Sequence, residues 1–289
     1  MKNNLVYPVS VIDVGSNSVR LLTQYETHKE KSVIITRLAE GFKNGYLLEQ
    51  SMERTANAVK ELVHKSVLNG SNSLFAFATA AVRNSVNGSD FVNLVKAKAG
   101  VEIKVVSGEL EAELAGIGAL RGESGLVVDI GGASTEIIIK DNGKTQYLVS
   151  YPVGAVNLRE KGLNIGETLD YLSSLIKGVK IAVKGDSVAI GGTSLTLTAM
   201  SLGLTEYNRD KTHGTFLSKG TVYKLIEELN FLTPSQIIEK YPFAKGRENY
   251  ILGGSAILYS VLNVFNLEGV YASENDNLEG YLKFLTYEK

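Results

Sequence analysis

Two short segments of the chain combine a carboxylate with a small, polar, glycine-containing turn. In the first, Asp13 is followed by Gly15, Ser16, Asn17 and Ser18. In the second, Asp129 is followed by Gly131, Gly132, Ala133 and Ser134, with Glu136 two residues on. Glycine tolerates unusual backbone angles and lets a ligand come close. Successive N–H groups in such a turn make a concavity for anions, to which Ser and Asn add donors. A neighbouring carboxylate can hold Mg2+ directly or through water. Each segment therefore offers donors for a phosphate and an oxygen ligand for a hard cation. Asp13 interrupts an apolar strand, which is hard to explain as structure alone. A single turn of this kind is more simply a hairpin; a second copy makes the phosphate reading the better one.

The two segments belong to a longer repeat. Val11–Leu22 reads VIDVGSNSVRLL and Val127–Ile138 reads VVDIGGASTEII, an offset of 116 residues. Each copy is an apolar strand, an Asp, a polar turn and a second apolar strand. An offset of one domain length points to two similar domains across a cleft. Around these turns, strands alternate with helices, which argues an α/β protein. The pattern predicts strands over 9–14, 19–25, 32–38, 74–78, 101–106, 126–130, 135–140, 145–150, 187–190 and 270–273. Asn142-Gly143 reads as a hairpin turn. Helices are predicted over 52–68 with Ser51 as N-cap, and over 90–99, 108–120, 166–184, 220–241, 246–266 and the last dozen residues. Gly191-Gly192-Thr193 reads as a further glycine turn. Gly116, Gly118, Gly122 and Gly125 mark the best boundary, giving domains 1–120 and 121–289, with the terminal helix packing back on the first.

Composition narrows the classes of function. The 289 residues include 44% hydrophobic and 21% charged ones, a soluble globular mixture. Net charge is −1. Residues 1–118 hold 13 basic and 12 acidic side chains, and the remainder 17 and 19. Neither half is polybasic, so general binding to nucleic acid or anionic membrane is disfavoured. There is no cysteine and there are three histidines, which removes thiolate chemistry and disfavours zinc or haem. The N-terminus reads as a strand and not a leader, and no apolar run of about 20 residues appears, so a cytoplasmic protein is expected.

The paired segments resemble the two phosphate loops of the actin-like ATPase superfamily. More narrowly, the chain resembles the exopolyphosphatase/guanosine-pentaphosphate phosphohydrolase (Ppx/GppA) family in its short, two-domain form. Ala78-Thr-Ala-Ala-Val-Arg83 is similar to that family's Ala-Thr-Ser-Ala-Val-Arg. Ser107-Gly-Glu-Leu-Glu111-Ala112 resembles Ser-Gly-x-Glu-Glu-Ala. Tyr151-Pro-Val-Gly154-Ala-Val, Gly191-Gly192-Thr193 and His213-Gly214 also match. Each motif alone is weak; the ordered set is specific and spans nearly the whole chain.

The resemblance implies two actin-like (ribonuclease H-like) domains in tandem around an interdomain cleft. It implies Mg2+-dependent hydrolysis of terminal phosphoanhydride bonds in inorganic polyphosphate or guanosine pentaphosphate, and a homodimer. Carried over residue by residue, Glu111 is the base that orients or deprotonates water. Asp13, Asp129 and Glu136 gather around Mg2+. Ser16, Asn17, Ser18, Gly131, Gly132, Ala133, Ser134, Gly192 and Thr193 line the phosphate sites. Arg83 binds a phosphoryl group through its planar fork, with Arg20 and Arg247 as further cations. Plainer readings stand beside these. Glu111 could be one more solvated charge beside Glu109 and Glu113, Glu136 could face water, and Arg83 could pair with a carboxylate. His213 is better read as a turn residue.

The chain departs from the family pattern near its end. Family members carry Ser-Asp-x-Gly-Leu-Arg-Glu-Gly, whereas this chain has Ser273-Glu-Asn-Asp-Asn-Leu278-Glu279-Gly280. Leu110 replaces a Glu, and Arg247-Glu248-Asn249 replaces Arg-Ala-Asp. The core of the site is kept while its basic and polar surroundings change. Two other functions therefore stay in view: a kinase or ATPase on the same fold, and a phosphate-ligand binder without turnover.

Overall fold

In the computed structural model, which describes residues 5–132, 134–176, 178–179 and 181–287, the chain forms two compact units. The first comprises Met1–Gly118 and Asn277–Lys289, the second Ala119–Asp276.

The first unit is built on five strands: β1 (Val9–Val14), β2 (Ser18–Gln24), β3 (Lys29–Ile35), β4 (Ser73–Ala78) and β5 (Lys104–Val105). Their order is β3-β2-β1-β4-β5. β1 runs antiparallel to β2 and parallel to β4, and β4 parallel to β5. Helices α1 (Glu49–Leu68), α2 (Ala80–Arg83), α3 (Gly88–Ala99) and α4 (Gly108–Ala119) fill the connections. All six residues of β1 are buried, as a central strand covered on both faces must be. One face packs Ile12, Val14 and Leu21 with Leu62 of α1 and Phe91 of α3. The other packs Val9, Val11, Leu22 and Phe77 with Leu114 of α4 and with Leu278, Tyr281 and Leu282 from the end of the chain.

The second unit has six strands: β6 (Gly125–Ile130), β7 (Thr135–Asp141), β8 (Lys144–Tyr151), β9 (Asp186–Ile190), β10 (Phe216–Ser218) and β11 (Gly269–Ser273). Their order is β10-β11-β9-β6-β7-β8. β6 repeats β1: antiparallel to the strand after it, parallel to β9, which is parallel to β11. The helices are α5 (Ala155–Glu160), α6 (Ile165–Leu175), α7 (Gly191–Ser201), α8 (Arg209–Thr212), α9 (Lys219–Asn230), α10 (Pro234–Lys240) and α11 (Ile251–Val264). The last helix, α12 (Asn277–Tyr287), follows β11 but belongs to the first unit. There it packs on β1 and β2 and supplies the Tyr281 ring that stacks on Phe77 at 4.7 Å.

Several predicted elements change. Gly191-Gly192-Thr193 is the first turn of α7 and not a separate turn. Helix 166–184 stops at Leu175, and 220–241 is two helices because Thr233-Pro234 starts a new capping box. The strand at 101–106 shrinks to Lys104–Val105, and β3 lies three residues earlier than predicted. α1 starts at Glu49; Ser51 lies inside its first turn and makes no N-cap. Asn142 and Gly143 have φ of 50° and 73°, the left-handed pair of a tight hairpin.

Candidate functional site

Parallel strands of an α/β sheet present ligands outside their carboxyl ends. In the first unit three such ends adjoin. β1 runs into Gly15–Ser18, β4 into α2 with Arg83, and β5 into Ser107 and α4 with Glu111. The loop closes with the Gly15 N–H donating to the Ser18 carbonyl at 3.0 Å. Its carbonyls are also engaged: Ser16 accepts from the Ala39 N–H at 2.9 Å, and Asn17 from the Thr36 and Arg37 N–H groups at 2.9 and 2.8 Å. Among the described residues the Ser16 and Asn17 N–H groups meet no backbone acceptor. The loop is thus held from its carbonyl side. Gly15 is not left-handed; a Cβ there would lie 3.3 Å from the Ser18 carbonyl oxygen, so glycine is favoured by tight packing and not by φ.

Arg83 and Glu111 form one ion pair. Arg83 Nη1 donates to Glu111 Oε2 at 2.7 Å and to the Val106 carbonyl at 3.0 Å. Ser107 Oγ accepts from the Leu110 N–H at 3.2 Å, and the Glu111 N–H closes the first turn of α4 on the Ser107 carbonyl. Glu109 is held below the ordinary carboxylate range by its own backbone N–H, by the Ser107 hydroxyl and by nearby Arg83. The structure therefore brings the predicted base and the predicted phosphate cation into contact, partly buried at 17% and 26% side-chain exposure.

Asp13 is not set beside open space. It faces Arg20 directly across the β1–β2 ladder, and the Arg20 Nε and Nη2 both donate to Asp13 Oδ2. Arg20, expected among the phosphate cations, is spent on that carboxylate. The equivalent ladder position in the second unit pairs Asp129 with Glu136. The repeat thus places an ion pair in one copy and two opposed carboxylates in the other.

The second loop closes as the first does. The Gly131 N–H donates to the Ser134 carbonyl at 2.9 Å. The Gly131 and Gly132 carbonyls accept from the N–H groups of Ala155, Val156 and Asn157, at the start of α5. Ala133 lies outside the described residues. Gly131 is not left-handed either; its Cβ would sit 3.1 Å from the Ser134 carbonyl. Glu136 accepts from the Ser150 hydroxyl at 2.6 Å. Beside this loop, Gly191 does need glycine: its φ is 84°, and a Cβ would come 2.8 Å from Asp129 Oδ1. A Cβ on Gly192 would meet the Arg247 guanidinium at 2.5–2.9 Å, so Arg247 lies over the first turn of α7. Thr193 is buried, with its hydroxyl 3.5 Å from the Ile130 carbonyl.

For a cation, the chemistry of this donor set fits in part. Among the described residues no three acidic or histidine side chains converge on one point. Mg2+, however, is commonly bound by one or two carboxylates completed by phosphate oxygens and water. Within the second unit Asp129 and Glu136, opposed in register, meet that requirement; within the first, Asp13 is charge-paired with Arg20.

A further cluster lies just past the carboxyl end of β11. Tyr207 Oη donates to Glu274, Arg209 Nε lies 3.4 Å from Glu274 Oε2, and the Glu274 N–H donates to His213 Nδ1 at 3.1 Å. Burial and the Glu274 bond push the Tyr207 hydroxyl well above its usual range. His213 caps α8, a structural post. The mismatched Glu274 and the His213-Gly214 match each marked a position in the sequence, but not their union, since the partners are scattered over 67 residues.

The duplicated 3-2-1-4 strand order, extended by one parallel strand in each copy and with a glycine loop after the first strand, defines an α/β protein of two tandem actin-like domains carrying paired glycine turns. Residues 21–283 match the Ppx/GppA phosphatase family, and the chain belongs to it. The crystal structure of the Aquifex aeolicus Ppx/GppA family member superposes with a TM-score of 0.83 at 27% identity, covering 97% of this chain and 98% of that one. An exopolyphosphatase from Cytophaga hutchinsonii shares the fold with a TM-score of 0.85 at 21% identity, covering 96% and 97%. In sequence, a bifunctional 3-dehydroquinate synthase/phosphatase of Fusobacterium nucleatum is 28% identical over 96% of this chain and 46% of its own. Exopolyphosphatase 1 of Mycobacterium tuberculosis is 30% identical over 54% of this chain and 48% of its own. The chain spans about half the length of the curated relatives it matches.

Proposed function

We propose that the protein is a phosphoanhydride hydrolase that releases terminal phosphate from inorganic polyphosphate, from guanosine pentaphosphate, or from both. The observation that carries the reading is the Arg83–Glu111 pair at the carboxyl edge of the first unit's sheet, the edge that also carries the Gly15–Ser18 loop. Phosphoryl transfer needs charge neutralisation and an oriented water more than covalent chemistry. Arg83 takes a phosphoryl oxygen through its fork. The Glu111 carboxylate then turns to the water, which it aligns and relieves of a proton. The second unit carries a phosphate-binding set of its own in the Gly131–Ser134 loop, the first turn of α7 and Arg247. Asp129 and Glu136 would hold Mg2+, which supplies neutralisation of phosphate charge when bound. A homodimer and residence in the cytoplasm belong to the same proposal.

A net charge of −1 gives the chain no basic surplus to draw in a long polyanion. Binding then rests on a few placed groups, which favours short substrates. Leu278, where relatives carry Arg, is 1% exposed in the apolar core with Val9 and Val11, which removes one more cation. That same substitution favours the second reading, a phosphate-ligand binder without turnover.

The test is orthophosphate release from polyphosphates of graded length and from guanosine pentaphosphate, with and without Mg2+, for wild type and Glu111→Gln. Wild-type release that falls about 10²–10⁴-fold in Glu111→Gln, with substrate still bound, supports the reading. Equal turnover by the two proteins removes Glu111 from it. Binding by wild type with no release under any metal selects the second reading.

A further inference from the structure

The two glycine loops are held from behind in different ways. In the second unit the Gly131 and Gly132 carbonyls are met by the first N–H groups of α5, which are already aligned by the helix. In the first unit the donors to the Ser16 and Asn17 carbonyls are the N–H groups of Thr36, Arg37 and Ala39, which lie in no helix or strand. Arg37 is moreover left-handed, with φ of 50°, which a residue with a side chain adopts at some cost. Something other than regular structure must fix these donors.

Arg54, on the first turns of α1, faces them. Its Nε donates to the Thr36 carbonyl at 2.5 Å. Its Nη2 lies 3.2 Å from the Arg37 carbonyl, 2.8 Å from Glu40 Oε2 and 3.3 Å from Ser51 Oγ. The guanidinium thus grips the carbonyls of two residues whose N–H groups hold the loop. The two carbonyls are met by two different nitrogens of one rigid plane, a fixed spacing that the compact ammonium of a lysine on its flexible stem does not reproduce.

We propose that Arg54 is a positioning residue for the first phosphate loop: it sets the Thr36–Arg37 turn, whose N–H groups hold the Asn17 carbonyl, and through it the Asn17–Ser18 peptide of the loop. The inference rests on the proposed reading of that loop as a phosphate site. Misaimed N–H groups weaken binding of substrate and transition state alike, so KM rises while kcat holds.

The experiment compares wild type, Arg54→Met, Arg54→Lys and Glu40→Gln. It measures KM and kcat for inorganic tripolyphosphate, its equilibrium binding, thermal unfolding, and hydrogen exchange at the Thr36, Arg37 and Ala39 amides. We expect Arg54→Met to raise KM and Kd about tenfold, equal to about 1.4 kcal/mol, with kcat within about twofold. Exchange should speed up at the three amides. Arg54→Lys should fail to restore them, whereas Glu40→Gln, which breaks only an exposed ion pair, should stay within about threefold of wild type. Unchanged Kd and exchange in Arg54→Met, or full rescue by Arg54→Lys, overturns the inference. Wild type that binds no tripolyphosphate defeats the phosphate reading instead, and amide exchange then still decides whether Arg54 holds the loop.

Discussion

Gly280→Ala gives the sharpest test of how the site-bearing helix is seated. Gly280 lies in α12, where Ala should ordinarily be favoured by about 1 kcal/mol. The structure reverses the sign. A Cβ at 280 would overlap the Leu114 carbonyl oxygen, with the carbonyl carbon at 2.6 Å and Cα at 2.9 Å, against an ordinary contact of 3.4–4 Å. The obstacle is helix backbone, so no side chain can rotate away. α12 must lift by about 1 Å, and a gap of that size forfeits a quarter to a half of each lost dispersion contact. The contacts at stake are those of Leu278, Tyr281 and Leu282, all at most 7% exposed, and the Phe77–Tyr281 stack. Overpacking of this kind costs about 3 kcal/mol, leaving a net loss of about 2 kcal/mol after the helix-propensity gain. For a chain of this size that lowers Tm by about 4–8 °C. The assay is thermal unfolding followed by far-ultraviolet circular dichroism. Because Leu114 lies one turn after Glu111 on α4, phosphate release should also fall, by up to about 10²-fold for an ångström of misplacement. A Gly280→Ala protein that melts at or above wild type would falsify the seating of α12 on α4.

Other outcomes follow from single contacts. Gly192→Ala should push the flexible Arg247 guanidinium off the first turn of α7, weakening tripolyphosphate binding about tenfold while Tm stays within about 2 °C; unchanged binding would show that Arg247 is not a phosphate group. The Thr36 hydroxyl is buried and, among the described residues, makes no hydrogen bond. Thr36→Val should therefore hold or raise Tm without altering KM, and a clear loss of stability would mean the hydroxyl has a partner. Burial pushes Glu228 up, but bonds from Lys240 and the Tyr241 hydroxyl outweigh it and leave the carboxyl below its usual range of about 4.5. A lowered folded value gives stability that is present above pH 4.5 and lost as pH falls through the folded value. In Glu228→Gln the acid limb of the Tm–pH curve should flatten; an unchanged limb rejects this assignment.

Much of the architecture was legible because it repeats. The β1 and β6 segments are largely apolar, with an Asp one residue before the end and a small polar turn after it, and strands buried on both faces read as apolar runs. Helices with mixed signals were not legible. α7 is rich in Ser and Thr, which favour other structure locally, yet its hydroxyls bond back to carbonyls one turn earlier and the helix is buried against β9 and α11. Shortened elements such as β5 failed for the opposite reason: apolar residues at 101–106 pack into the core without finding a ladder partner along their whole length.

The sequence by itself determined the duplicated fold and the two glycine loops with their neighbouring carboxylates, because periodicity and turn chemistry are local, while Arg83 and Glu111 were singled out through the family resemblance. Tertiary structure alone decided how the charges are spent. Asp13 and Arg20 cancel across a ladder whose register no spacing fixes. Arg83 meets Glu111 over 28 residues, and Arg247 reaches Gly192 over a longer span. The sequence reading expected the last helix on the first unit, but its seat there, with Gly280 against the Leu114 carbonyl, is a matter of tertiary structure. Pairings between distant residues carry no local signature; they exist only when the packed core brings the groups together.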